Sequence, residues 1–350
     1  MMLNLDPNVS QKKGAVRSTD IVMSCRVRLA RNLVGERFPD WATERDRERV
    51  LATVREALAV EAPDVPAAPV AVFEEQDRNV MFESHLISKD LLERAAGGGV
   101  AMSEDHSLCV MINEEDHLRI QGFADGLDLD AAWRVADTLD ARLEKHLNYA
   151  WTPQLGYLTA CPSNVGTGLR AGAMLHLLGL RLLGEIEPVI RGLERMRLLV
   201  RGIGGEGSEA AGQIFQISNM DTLGVGEKSI IQRVTRICAE VMRQEQNARI
   251  RLMQESPLVL VDCLARSLSV LQNARLLATA EALEFLSAMR LGAAMGLCTR
   301  LKVKEVDALI VLMQPGHLQR GLGVTLSSDE RDEMRAEFLS RKVANVKLKC

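Results

Sequence analysis

The stretch Arg201-Gly202-Ile203-Gly204-Gly205-Glu206-Gly207 restricts the architecture more than any other. Its glycines at 202, 204 and 207 spell G-x-G-x-x-G behind the apolar run Met196-Arg197-Leu198-Leu199-Val200, the outline of a dinucleotide-binding turn. Such a turn requires a helix after the third glycine, then a strand ending in an acid about 20 residues on. Asp221 is the acid in reach, but only residues 208–221 are available, and Gln213–Ser218 already reads as strand. A crossover between parallel strands takes about a dozen residues or more. The dinucleotide reading fails on length, and no G-x-x-x-x-G-K-[ST] exists to make a P-loop. What distinguishes the loop is the pair of charges inside it, Arg201 and Glu206.

Length and charge narrow the field further. A chain of 350 residues with 47% hydrophobic and 26% charged residues has room for two domains and a large core. With 43 basic against 47 acidic residues and a net charge of −4, nothing predicts a nucleic-acid partner. The seven cysteines (Cys25, Cys109, Cys161, Cys238, Cys263, Cys298 and Cys350) form no CxxC pair, which argues against a disulfide framework or a structural zinc site. Reduced thiols and a cytoplasmic location are expected. The start, MMLNLDPNVSQKKG, has no apolar core of a signal peptide. The most apolar stretch, Ala171–Ile190, is interrupted by Arg181, Glu185 and Glu187, so no membrane span is expected.

Residues 1–19 read as a polar, flexible lead. Asp20–Leu33 predicts a strand ending in a helix or turn, and Glu44–Val60 a helix capped by Thr43, with Val50, Leu51, Val54, Ala57 and Leu58 at helical spacing. Residues 61–69, rich in Pro and Ala, predict a surface connection. Leu108–Ile112 predicts a buried strand. Asp128 or Asp130 can cap a helix with Trp133, Ala136, Leu139, Leu143 and Leu147 on its apolar face. Ile230, Val234, Ile237, Cys238 and Val241 mark another amphipathic helix, and beyond residues 252–257 Leu/Ala-rich helical patterns dominate.

In a strand, Arg26 and Arg28 leave by the same face. Two neighbouring guanidiniums repel unless anions or carboxylates lie between them. Phosphate suits them, because arginine grips oxyanions in bidentate fashion, and a solvated face paired with Asp or Glu is the plain alternative. Asn113-Glu114-Glu115-Asp116-His117-Leu118-Arg119 puts acids, a histidine and an arginine at a strand end, where α/β proteins keep their chemistry. Alone it also reads as a capped turn, or as metal ligands from Glu114, Asp116 and His117. Cys161–Arg170 is a turn-rich loop leading into an apolar helix; Cys161 is either a thiolate favoured by Arg170 or an inert buried cysteine. Together Arg26, Arg28, Arg119, Arg170 and Arg201 can neutralise a triphosphate without a P-loop lysine, since phosphoryl transfer is largely positioning and charge stabilisation. Glu115, Glu206 and Cys161 suit a cationic acceptor. A guanidinium, with a pKa above about 12, is a poor nucleophile until anions align it and help remove a proton.

Four segments, Ser24–Leu33, Asn113–Ile120, Cys161–Arg170 and Arg201–Glu209, resemble in order the motifs of the ATP:guanido phosphotransferases, the phosphagen-kinase family of creatine and arginine kinases. The small-molecule kinases of that family carry an N-terminal helical domain, for which a first motif beginning at Ser24 leaves no room. In its place stands a C-terminal helical region with Arg331-Asp332-Glu333-Met334-Arg335-Ala336, which resembles the R-D-x-x-R-A motif of bacterial McsB-type protein-arginine kinases.

The resemblance implies an α+β fold: a phosphagen-kinase-like catalytic domain over 20–254, an antiparallel sheet flanked by helices, then an all-helical regulatory domain over 255–350. It implies ATP contacts from Ser24, Cys25, Arg26, Val27 and Arg28, from His85 on the adenine side, and from Arg119. Further contacts are implied for Arg170, Ala171, Gly172, Ala173 and Met174, and for Arg201, Gly202, Ile203, Gly204, Gly205 and Glu206. Glu115 and Glu206 would clamp the acceptor guanidinium beside a Cys161 thiolate, with Ser163 where the family usually has threonine. Arg331, Asp332, Arg335 and Ala336 would line an allosteric phosphoarginine pocket. The implied reaction moves the γ-phosphoryl group of ATP, carried with Mg2+, to arginine side chains of proteins and marks them for a Clp-type protease, often alongside an activator protein. Alternatives are a kinase for a small free guanidino compound and a non-catalytic phosphoarginine-binding regulator. No metal held by the protein itself is expected, and a homodimer stays open.

Overall fold

The structure, a computed structural model, describes residues 18–94, 96–202 and 210–349. After a helical turn at Ser18–Asp20 comes β1 (Val22–Arg31). Helix α1 (Glu44–Glu61) starts at Thr43, whose hydroxyl accepts from the Asp46 amide while the Asp46 carboxylate accepts from the Thr43 amide. The Pro/Ala stretch behind it is more than a connection: Ala67–Pro69 forms β2, an edge strand, where a missing N–H is tolerated. Helices α2 (Glu75–Glu83) and α3 (Lys89–Glu93) precede β3 (Gly99–Met102), β4 (Leu108–Ile112) and β5 (Leu118–Asp125). Asp128 caps α4 (Leu129–Leu143) by accepting from the Ala131 amide, whereas Asp130 pairs with Arg134.

A small hairpin follows, β6 (Trp151–Thr152) and β7 (Gly156–Tyr157), and then β8 (Leu169–His176). Here the structure corrects an expectation, because the Cys161–Arg170 loop leads into a strand and not into an apolar helix. β8 lies between β1 and β10 (Ile214–Asn219), and pairing on both edges overrides its Leu/Ala composition. Gly172 fits there because a Cβ would lie 2.7 Å from the Ile217 carbonyl oxygen. Helices α5 (Leu178–Leu182) and α6 (Ile186–Arg195) and strand β9 (Leu198–Gly202) complete the domain, together with the long α7 (Glu227–Glu255).

Among the described residues the main sheet has the order β2-β3-β4-β5-β1-β8-β10-β9, every pairing antiparallel. One face, with Val27, Leu29, Ile120, Leu169, Phe215 and Ile217, is sealed by α1, α4 and α7 into the main core. The opposite face is roofed only at its sides. Val100, Cys109 and Met111 pack beneath α2 and α3 at one side.

At the other side Met174 leans on a second core. That core belongs to α8 (Pro257–Asn273), α9 (Thr279–Ala294), α10 (Val303–Leu312), α11 (Pro315–Leu322) and α12 (Ser328–Val343). Pro257 opens α8 immediately after α7 ends, a position where a missing N–H does no harm. The region expected to be all-helical also carries a two-strand ladder, β11 (Cys298–Thr299) with β12 (Lys347–Leu348). Buried Arg290 on α9 donates to the Thr19 and Asp20 carbonyls and pairs with Asp307. The lead expected to be flexible through residue 19 is therefore held at Thr19.

Candidate active site

Strand register assembles the arginines. Arg28 opposes Gln121 on β5 and Arg170 on β8, while Arg26 opposes Phe123 and Gly172. Arg119 opposes Ala30, two residues beyond Arg28, and Arg201 opposes Gln216, which itself opposes Met174. Directly opposed residues share a face, and so do residues two apart. Arg26, Arg28, Arg119, Arg170 and Arg201 thus all rise from the face away from the main core. Among the described residues Arg119 pairs with Glu114 and Glu115, but no carboxylate pairs with Arg26 or Arg28.

Burial, then Arg119, pushes Arg26 down to about 10. Burial, then Arg26, Arg119 and Arg170, pushes Arg28 well below its ordinary value, and burial with Arg201 lowers Arg170. Arginine does not surrender its proton under these conditions, so the cost of crowding becomes a demand for anions.

The acidic motif divides into a frame and a working group. Glu114 is buried and accepts from Arg119 at 2.8 Å. The Asp116 carboxylate accepts from the Asn32 amide at 2.6 Å and from the Ala160 backbone at 2.7 Å, tying the motif to the loop that carries Cys161. His117 Nδ1 accepts from the Leu33 amide, so Nε2 carries the proton given to the Arg37 carbonyl. These commitments remove the metal reading of Glu114, Asp116 and His117. Glu115 is the carboxylate left half-exposed, 2.9 Å from Arg119. Burial raises its pKa, Arg119 opposes the rise, and Asp116 and Glu114 add to it.

Cys161 is half-buried, with Sγ 3.0 Å from the Ser163 hydroxyl and close enough to Arg170 to oppose part of the fall that burial and Arg201 impose on that guanidinium's pKa. Asn164 accepts from Arg170 at 3.2 Å. Ser24, Arg26, His85, Gly172 and Met174 line one cavity of about 250 Å³, with Ser84, Leu86, His106, Phe123 and Gln216. His85 keeps an exposed face toward it, and loss of surrounding water followed by the Arg26 charge pushes the ring down to about 4. The imidazole is neutral at neutral pH.

Cys25, Val27, Ala171 and Ala173 point their side chains into the main core, so they bring only main-chain atoms to this face. Gly202 closes β9; Ile203, Gly204, Gly205 and Glu206 lie outside the described residues. On α12, Arg335 is buried and donates to the Met313 and Leu277 carbonyls and to Asp332, and Ala336 is core. Arg331 and Asp332 are the half-buried members of that motif. Sequence reasoning missed Phe123, Gln216 and Asn164. The first two are visible only through register, as cross-strand neighbours of Arg26 and Arg201.

Residues 49–248 match the family model for the ATP:guanido phosphotransferase C-terminal catalytic domain, and residues 257–349 match that for the protein-arginine kinase McsB C-terminal domain. The chain is 43% identical to the protein-arginine kinase of Symbiobacterium thermophilum, with 95% of this chain and 96% of that one aligned. It is 42% identical to the protein-arginine kinase of Moorella thermoacetica over 98% and 100%. Among solved structures, a lombricine kinase superposes with a TM-score of 0.57 at 27% identity, covering 69% of this chain and 70% of that one. A duplicated taurocyamine kinase from Schistosoma mansoni, at 23% identity and TM-score 0.57 over 78% and 41%, shares the fold.

Proposed function

This chain belongs to the ATP:guanido phosphotransferase family, and on that premise we propose that it is an ATP-dependent protein-arginine kinase. The observation that carries the reading is the single sheet face from which Arg26, Arg28, Arg119, Arg170 and Arg201 rise, bordered by a half-exposed Glu115. Such a face binds a polyanion, and its acidic border receives a cation.

In this mechanism the arginines take up the phosphates of ATP and hold the γ-phosphoryl group in line with the acceptor. Mg2+ comes with the nucleotide, as part of the substrate. Glu115 orients the incoming guanidinium and accepts the proton that its terminal nitrogen loses as the N–P bond forms and the P–O bond to ADP breaks. Glu206 is its proposed partner. Cys161, beside Arg170, adds negative character at the acceptor. Removing one charge-stabilising donor from such a site costs about 100- to 1,000-fold in kcat. The similarity of residues 257–349 to the protein-arginine kinase C-terminal domain supports a protein acceptor over a free guanidino compound. Marking for a Clp-type protease, an activator partner, a homodimer and a phosphoarginine pocket at Arg331 and Asp332 extend the same proposal.

The test is labelled ATP offered with free arginine and, separately, with an arginine-containing protein. The reading predicts label on the protein. Label on the free amino acid alone would sink it.

A further inference from the structure

The wall of the nucleotide cavity is built from two sides. Ser84, His85 and Leu86 follow α2, and His85 sits at φ +59°, a left-handed conformation uncommon for a residue other than glycine. Strained backbone of this kind persists only where its surroundings over-determine it. On the sheet side, the Leu86 carbonyl accepts from Gln121 Nε2 and from Cys109 Sγ, both at 3.1 Å.

From the other side the C-terminal region braces that turn through Glu83 and Ser84 without lining the cavity itself. Glu83, the last residue of α2, accepts from the Gly316 amide at 2.6 Å and the His317 amide at 2.9 Å, and its Oε2 lies 2.7 Å from His317 Nδ1. Its charge thereby meets the N-terminal amides of α11, where a carboxylate is favoured. His317 Nε2 is 3.3 Å from the Ser84 hydroxyl, and Arg320 pairs with Asp77. The approach is close enough to require glycine: a Cβ on Gly316 would lie 2.9 Å from Asn79 Cβ. Two residues before α11, the Met313 carbonyl accepts from Arg335. A continuous run of contacts therefore joins the Arg335 motif to the residue beside His85.

We infer that Glu83 is a positioning residue for nucleotide binding, acting through the C-terminal helix α11 to hold Ser84 and His85 against the cavity. The inference rests on reading that cavity as the nucleotide site. The acceptor side, around Glu115 and Cys161, is outside its reach, so the two substrates respond differently.

The test is steady-state kinetics of the full chain carrying Glu83→Ala, His317→Ala, both together, or His85→Ala. Glu83→Ala is expected to raise KM for ATP by roughly tenfold, the scale of one lost charge-assisted contact, while KM for the protein acceptor stays within about twofold. His317→Ala is expected to do the same less strongly, and the double variant to be no worse than Glu83→Ala, because the two side chains act as one unit. A purely structural role would lower the active fraction and the melting temperature without moving KM for ATP, and that result overturns the inference. Multiplying effects in the double variant would also overturn it. Should His85→Ala leave KM for ATP unchanged, the nucleotide reading of the cavity fails; should it raise KM while Glu83→Ala does not, only the inference fails.

Discussion

Arg28 on β1 and Arg170 on β8 are register partners across adjacent antiparallel strands, so two guanidiniums stand side by side on one sheet face. Like charges directly opposite in a sheet are destabilising. The fold tolerates them because the other face of the same strands, through Val27, Leu29, Leu169 and Ala171, is buried in the main core. On the proposed mechanism the repulsion is kept in the resting protein and relieved when the phosphates of ATP bind.

A first prediction follows from this tension. Arg28→Met keeps an unbranched apolar stem, shorter by the guanidinium group, and removes a charge that burial and three arginine neighbours disfavour. The variant is expected to melt higher, by the order of 1 kcal/mol typical of relieving a strained functional site. Its kcat should fall by about 100-fold or more. Calorimetry beside an activity assay checks both; an Arg28→Met protein that melts lower would contradict the account.

Arg31 predicts the opposite behaviour. It is three residues further along, but on the helix-covered side, where it is buried and pairs with Asp140 at 2.6 Å. It also donates to the Thr167 carbonyl and lies 3.6 Å above the Tyr157 ring. Arg31→Ala leaves a buried carboxylate alone and is expected to cost about 3–5 kcal/mol of stability, measured by urea unfolding, with much of the loss recovered by Arg31→Met combined with Asp140→Leu.

Glu115 sets an acid limb. Burial raises its carboxyl above the ordinary glutamate range, so it takes up a proton earlier as pH falls. The protonated form can neither pair with a guanidinium nor accept its proton. The rate is expected to drop on a limb lying above the usual glutamate pKa of about 4.3. Glu115→Gln should remove that limb and lower kcat by about 100- to 10,000-fold, read from a pH profile of both proteins.

Stability has its own pH dependence through His176, fully buried at the junction with the C-terminal helices, 2.8 Å from the Ser287 hydroxyl. Burial, then Arg290 and Arg249, holds its pKa well below 6.5. Below about pH 6.5 the unfolded chain binds a proton that the folded chain refuses, so this residue's contribution falls by about 1.4 kcal/mol per pH unit as pH drops. His117 is lowered by burial in the same direction and adds to the slope. His176→Gln should flatten the decline between pH 6.5 and 5 by one proton's worth without abolishing it, as measured by denaturant titration at each pH.

What the sequence disclosed divides along physical lines. Helix α1 was legible because a capping box and a regular apolar stripe are local signals. Strand β8 was not, because its alanines and leucines adopt a strand only between β1 and β10. The arginines could be grouped as a phosphate cage from residue type and from the family resemblance, yet their common face depends on register between β1, β5, β8, β10 and β9. Asp116 and Glu115 look equivalent in the run Asn113–Arg119. The structure separates them, because Asp116 is spent on Asn32 and Ala160 while Glu115 remains half-exposed. No local signal distinguishes the two.

The central claim is that this arginine face delivers a phosphoryl group from ATP to arginine side chains of proteins. The most direct measurement is mass spectrometry, under conditions that preserve acid-labile phosphoarginine, of an arginine-containing protein incubated with ATP and either the natural enzyme or its Arg28→Met variant. The account predicts phosphoarginine on the protein with the natural enzyme and a loss of about 100-fold or more with the variant. Phosphate found only on Ser, Thr or Tyr, or phosphoarginine formed equally well by both enzymes, would contradict it.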